Sequence, residues 1–149
     1  MKTMIRFFCM ALLGVLAYQT PAIAGNDKPI TVRELPARAK QVVNTHFRGK
    51  NVAVVTVERQ FVGKSYDVVF ASGEKLEFDR NGNWTEIDCK KSRVPAALVP
   101  SAIKNYVRKN YSGATIVQIE KARSGYEVQL STGLELTFNK NFKVIDIDT

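Results

Sequence analysis

Residues 66–82 and 126–142 carry the same pattern sixty positions apart, and that repetition limits this chain more than any other feature. The first copy runs Tyr66-Asp67-Val68-Val69-Phe70, then Ser72-Gly73, Leu76-Glu77-Phe78 and Asn81-Gly82. The second runs Tyr126-Glu127-Val128-Gln129-Leu130, then Thr132-Gly133, Leu136-Thr137-Phe138 and Asn141-Phe142. Apolar residues alternate with polar ones on both sides of a glycine-bearing turn, the period of a β-hairpin with one wet face. A chain that contains this unit twice is expected to fold as two matched halves.

The flanking segments repeat as well. Leu35, Ala39, Val42, Val43 and Phe47 recur at spacings of three and four, which predicts a helix with one apolar stripe. Pro36 stands near its first turn and Gly49 is placed to end it in the left-handed conformation. Val99, Ile103, Tyr106, Val107 and Tyr111 reproduce that stripe, with Pro100 and Gly113 as its punctuation. Val55 and Val57, then Val117 and Ile119, open the strands. The strands that close each half are Asn83 to Cys89, with Thr85 and Ile87 on one face, and the stretch containing Ile145 and Ile147. Asn81-Gly82 predicts a type I′ turn. The reading is an α+β fold of two tandem α-β-β-β-β repeats, residues 34–89 and 94–149. Edge-to-edge joining gives one antiparallel sheet of about eight strands with both helices on one face. Each half alone would have a very small core.

Residues 1–24 read as a signal peptide: a basic start at Lys2 and Arg6, an apolar run from Phe7 to Tyr18, and Ala22-Ile23-Ala24 at the cleavage site. The apolar run falls short of the roughly 20 residues that span a bilayer, so the mature chain is expected in the periplasm or otherwise secreted. Residues 25–33 lack periodicity and read as a flexible N-terminal segment. The formal charge is +8, and removal of Lys2 and Arg6 leaves +6. Loss of Cys9 with the leader leaves Cys89 as a single cysteine. Lys90 and Lys91 would favour its thiolate, and it reads either as a small apolar residue at a strand end or as a link between chains.

The open sheet face is where a site is expected. Of 14 acids, 12 lie from Glu58 onward, while the helices carry Lys104, Arg108 and Lys109. Alternation places Glu58, Asp67, Glu77, Glu86, Glu120, Glu127 and Glu135 outward, as a binding face or as ordinary solvated strand positions. Trp84 falls outward among them, either as a binding anchor or as half of a cross-strand pair. Catalytic groupings are missing from the sequence. His46 is the only histidine, its counterpart is Asn110, and one His with one Cys builds no zinc site. Asp79-Arg80-Asn81-Gly82-Asn83 only faintly resembles a calcium loop and is explained by turn chemistry. No glycine-rich phosphate loop follows a strand, paired carboxylates on an open face have no pocket to separate their pKa values, and an acidic sheet face repels nucleic acid. No catalytic, metal or cofactor residues are therefore assigned.

Pro36, Val42, Val43, Phe47, Tyr66, Val68, Gly73, Leu76, Phe78 and Gly82, with Pro100, Tyr106, Val107, Tyr111, Tyr126, Val128, Gly133, Leu136 and Phe138, resemble the PepSY-like family of exported bacterial proteins, also described as β-lactamase-inhibitor-like. The resemblance covers Glu34 to Thr149 and rests on core and turn positions. It implies a periplasmic, non-enzymatic pair of modules that engages a protein. The function expected is a binding or inhibitory module that holds a protein or peptide on the open sheet face. The alternative is a small-ligand or cation sensor using the same acids.

Overall fold

The computed structural model describes residues 27–61 and 63–149; the predicted leader lies outside them. Among the described residues nine strands form a single antiparallel sheet in which neighbours in sequence are neighbours in space. They are β1 (Asp27–Ile30), β2 (Val52–Gln60), β3 (Gly63–Phe70), β4 (Lys75–Phe78), β5 (Trp84–Asp88), β6 (Ile116–Ala122), β7 (Gly125–Leu130), β8 (Glu135–Asn139) and β9 (Val144–Asp148). Helix α1 (Ala37–His46) precedes β2, and α2 (Ser101–Asn110) precedes β6. Only two crossings need long connections, so nearly every pairing is a local hairpin.

Both helices bury their stripes in one core. Leu35, Ala39, Val43 and Phe47 of the first half join Val99, Ile103 and Val107 of the second, over Val68, Phe70, Leu76, Ile87, Ile119, Val128, Leu136 and Phe138. Phe47 stacks on Phe70 at 5.2 Å, and Tyr106 meets Phe138 edge-on at 5.4 Å. Gly49 and Gly113 take the left-handed conformation at φ +83° and +86°, as the helix stops require. The halves join where β5 pairs with β6, Glu86 opposite Glu120 and Ile87 opposite Ile119.

Three expectations are corrected. The segment before Glu34 is not without regular structure: Asp27–Ile30 forms β1 against β2, which makes nine strands where about eight were expected. Its Pro29 offers no N–H, which suits the outermost strand of a sheet. The Asn81-Gly82 turn is not type I′, since Gly82 alone has positive φ (+81°) and Asn81 does not. The third correction concerns Trp84. An irregularity between Glu77 and Phe78 sets Glu77 opposite Glu86 but Phe78 opposite Trp84. The extra residue shifts the alternation, so Trp84 turns to the helix side, 9% exposed and part of the core. It therefore offers no anchor on the open face. Lys121 Nζ lies 3.7 Å above its ring and caps what remains accessible.

Candidate functional site

The open face is ordered by register. Across β3 to β7, Asp67 faces Glu77, Glu77 faces Glu86, Glu86 faces Glu120 and Glu120 faces Glu127. Five carboxylates thus stand directly opposite one another along one row, which continues through Thr137 to Asp146 on β9. Glu135 sits one pair along, opposite Gln129 and Asp148. Glu58 lies toward the β2 end of the same face, paired with Ser65 and Asp27. All seven predicted acids share this face, and five form its central row.

Directly opposed like charges destabilise a sheet by about 0.2–1 kcal/mol per pair. A cation from the next row offsets part of this. Lys75 Nζ contacts Glu77 Oε1 at 2.6 Å and Asp67 Oδ2 at 3.5 Å. The Glu86 Oε1 accepts a 2.6 Å hydrogen bond from Gln118 Nε2. Desolvation, and then repulsion from its neighbours, raises Glu86 above the ordinary carboxylate range. Desolvation likewise raises Asp67, against the pull of Lys75. The largest displacement falls on Glu120, pushed up to about 7 by desolvation and then by Glu86, Glu127, Glu77 and Glu135. Of the acids in the row, Glu120 is thus the one whose charge changes near neutral pH.

Other titratable groups are absorbed by the fold. Asp79 Oδ1 accepts the N–H groups of Asn81 and Asn83 at 2.8 and 3.0 Å. In the second half Asn139 Oδ1 does the same for Asn141 and Lys143, so the loop needs no charge. Cys89 is 1% exposed, and desolvation, then Glu74 and Asp88, push its thiol up to about 11. The thiolate expected from Lys90 and Lys91 does not form, because burial outweighs two solvated lysines. Glu74, missed by sequence reasoning, is the one charged side chain buried among the described residues. It accepts hydrogen bonds from Lys50 Nζ (2.6 Å), Ser92 Oγ (3.2 Å) and Ser72 Oγ. Its counterpart is Leu134, a difference that could have flagged it.

The family described as "Putative beta-lactamase-inhibitor-like, PepSY-like" matches residues 64–146, more than half of the chain. The chain belongs to that family. Several solved structures resemble it closely. A periplasmic protein of the DUF2874 family from Bacteroides vulgatus is 50% identical, with 85% of this chain and 99% of that one covered and a TM-score of 0.82. A "putative calcium-regulated periplasmic protein" from Bacteroides thetaiotaomicron is 46% identical over 83% of this chain and 97% of its own, TM-score 0.79. A second Bacteroides vulgatus periplasmic protein, of unknown function, is 38% identical over 83% and 99%, TM-score 0.77. No functionally curated protein matches. These three proteins are all described as periplasmic, and no helix among the described residues of this chain is long and apolar enough to cross a membrane.

Proposed function

We propose that the protein is a periplasmic, non-enzymatic binding module that seats a basic protein or peptide segment on its open acidic sheet face. The observation that carries this is the unbroken row Asp67, Glu77, Glu86, Glu120 and Glu127. Its repulsion lowers stability without any packing gain, and a local rule broken in this way marks a functional surface. A lysine or arginine side chain laid along the row would repeat what Lys75 does at one end of it. Each new cation lowers the electrostatic cost of two carboxylates at once.

A second reading is supported by one relative, described as calcium-regulated: a divalent cation could bridge Glu86 and Glu120. The basic segment is favoured because, among the described residues, no three His, Cys, Asp or Glu side chains are gathered for a metal. A flat row suits a line of separate charges better than the six to eight oxygens that calcium takes.

Calorimetric titration at low salt with a short lysine-rich peptide, and separately with calcium, tests both. The Glu86→Gln/Glu120→Gln variant should bind the peptide at least tenfold more weakly, and wild-type affinity should rise from pH 5.5 to 8 as Glu120 loses its proton. Equal binding by variant and wild type would remove the face from the proposal. Calcium binding that the same variant abolishes, without peptide binding, would establish the second reading instead.

A further inference from the structure

Among the described residues strand β9 is an open edge, and the molecule contains a picture of what belongs on it. Its counterpart sixty positions earlier, β5, is covered by β6: Ile87 faces Ile119, Asp88 faces Gln118, and the Cys89 N–H donates to the Val117 carbonyl at 2.7 Å. Under that cover Ile87 is fully buried. On β9 the equivalent Ile147 is 50% exposed and Ile145 is 56% exposed. The backbone donors that would meet a neighbouring strand are held by the strand's own acids. Ile147 N–H donates to Asp146 Oδ1 at 3.0 Å, and Thr149 N–H to Asp148 Oδ1 at 2.8 Å. Side chains that occupy outward N–H groups blunt an edge against casual pairing.

We infer that β9 accepts an added antiparallel strand from a partner segment in which apolar residues alternate with lysine or arginine. Such a segment adds the tenth strand of the sheet and takes the place that β6 takes on β5. Its carbonyls replace the aspartate oxygens on the Ile147 and Thr149 N–H groups. The carboxylates of Asp146 and Asp148, which share the open face with Glu135, then meet its basic side chains, while its apolar residues cover Ile147. Main-chain bonds supply affinity and alternate side chains supply selectivity, as in other strand additions. A second copy of this chain is a poor occupant: antiparallel β9–β9 pairing would bring Asp146 and Asp148 against their own kind, and the far edge of β1 carries Pro29. This rests on the reading of the acidic face as a seat for a basic partner, and it states how that partner is held.

The test uses a short end-blocked peptide alternating lysine and valine, its acidic analogue alternating glutamate and valine, and the lysine peptide N-methylated at alternate amides. N-methylation keeps every charge but prevents pairing along one edge. Fluorescence anisotropy should show binding of the plain lysine peptide, at least tenfold weaker binding of the methylated form, and none of the acidic one. Ile147→Pro removes only an outward-facing donor and should reduce plain-peptide binding at least tenfold. Asp146→Lys/Asp148→Lys, on the exposed surface, should do the same with a melting temperature no lower than wild type, and it decides the matter if the proline variant misfolds. Equal binding of plain and methylated peptides, lost in Glu86→Gln/Glu120→Gln, would overturn the edge and leave the acidic-face reading intact. No binding of either lysine peptide would remove both. Concentration-dependent dimerisation abolished by Ile147→Pro would show a second copy on β9 and overturn the assigned partner.

Discussion

Glu120 concentrates the electrostatic tension of the open face in a single side chain. Its folded pKa of about 7 lies above the ordinary 4.5, so the folded chain holds that proton more tightly than the unfolded one. Stability from this group is therefore greatest below pH 4.5 and declines as pH rises through 7. Glu120→Gln should flatten that decline: at pH 8 the variant should melt a few degrees above wild type, and at pH 4.5 the two should coincide, as read by circular dichroism. Glu86 and Asp67 are displaced in the same direction and should reinforce the slope. A basic ligand reverses the preference, which is why its affinity should rise over the range where stability alone falls.

Among the elements, the two hairpin tips show how one turn is built in two ways. Gly82 at φ +81° packs so closely on the start of α1 that an added Cβ would stand 2.8 Å from Pro36 Cβ and 2.9 Å from the Ala39 nitrogen. Phe142 occupies the matching place at φ +59°, a conformation that costs a residue with a side chain about 1–3 kcal/mol. Its ring stacks on Tyr126 at 5.6 Å, and that contact offsets the strain. Phe142→Ala should lose the stack and keep the strain, destabilising by about 1–2 kcal/mol in urea. Phe142→Gly loses the stack but relaxes the backbone, so it should fall between the alanine variant and wild type.

At the scale of the whole molecule, one buried charge fastens the link between the halves to the first half. Glu74, on the turn between β3 and β4, joins Lys50 after α1 to Ser92 in the link between the halves. Desolvation alone would raise its pKa, but hydrogen bonds from Lys50, Ser72 and Ser92 hold it down at about 2. That stabilisation is complete above pH 4.5 and is lost as pH falls toward 2. Glu74→Ala should cost about 1.5–3 kcal/mol, the worth of hydrogen bonds to a charged group, because Lys50 still reaches solvent. Taken with Glu120, this places maximal thermal stability near pH 5, which melting curves from pH 3 to 8 would check.

Alternation and helical spacing made the two helices, eight of the strands and the common face of all seven acids legible, because each is a property of residues close along the chain. Strand β1 was not, since Asp27-Lys28-Pro29-Ile30 has no period of its own and is a strand only by pairing with β2. Trp84 was misplaced because a single extra residue in β5 reverses which face it takes, and alternation cannot register an insertion that only the partner strand defines. The five-carboxylate row, the covered β5 and the bare β9 all depend on which strand lies beside which. By itself the sequence determined which side of the sheet the regularly alternating residues would occupy; the tertiary structure alone decided the face of Trp84 and which side chains would meet, because bulges and cross-strand register are set by pairing between residues far apart in the chain.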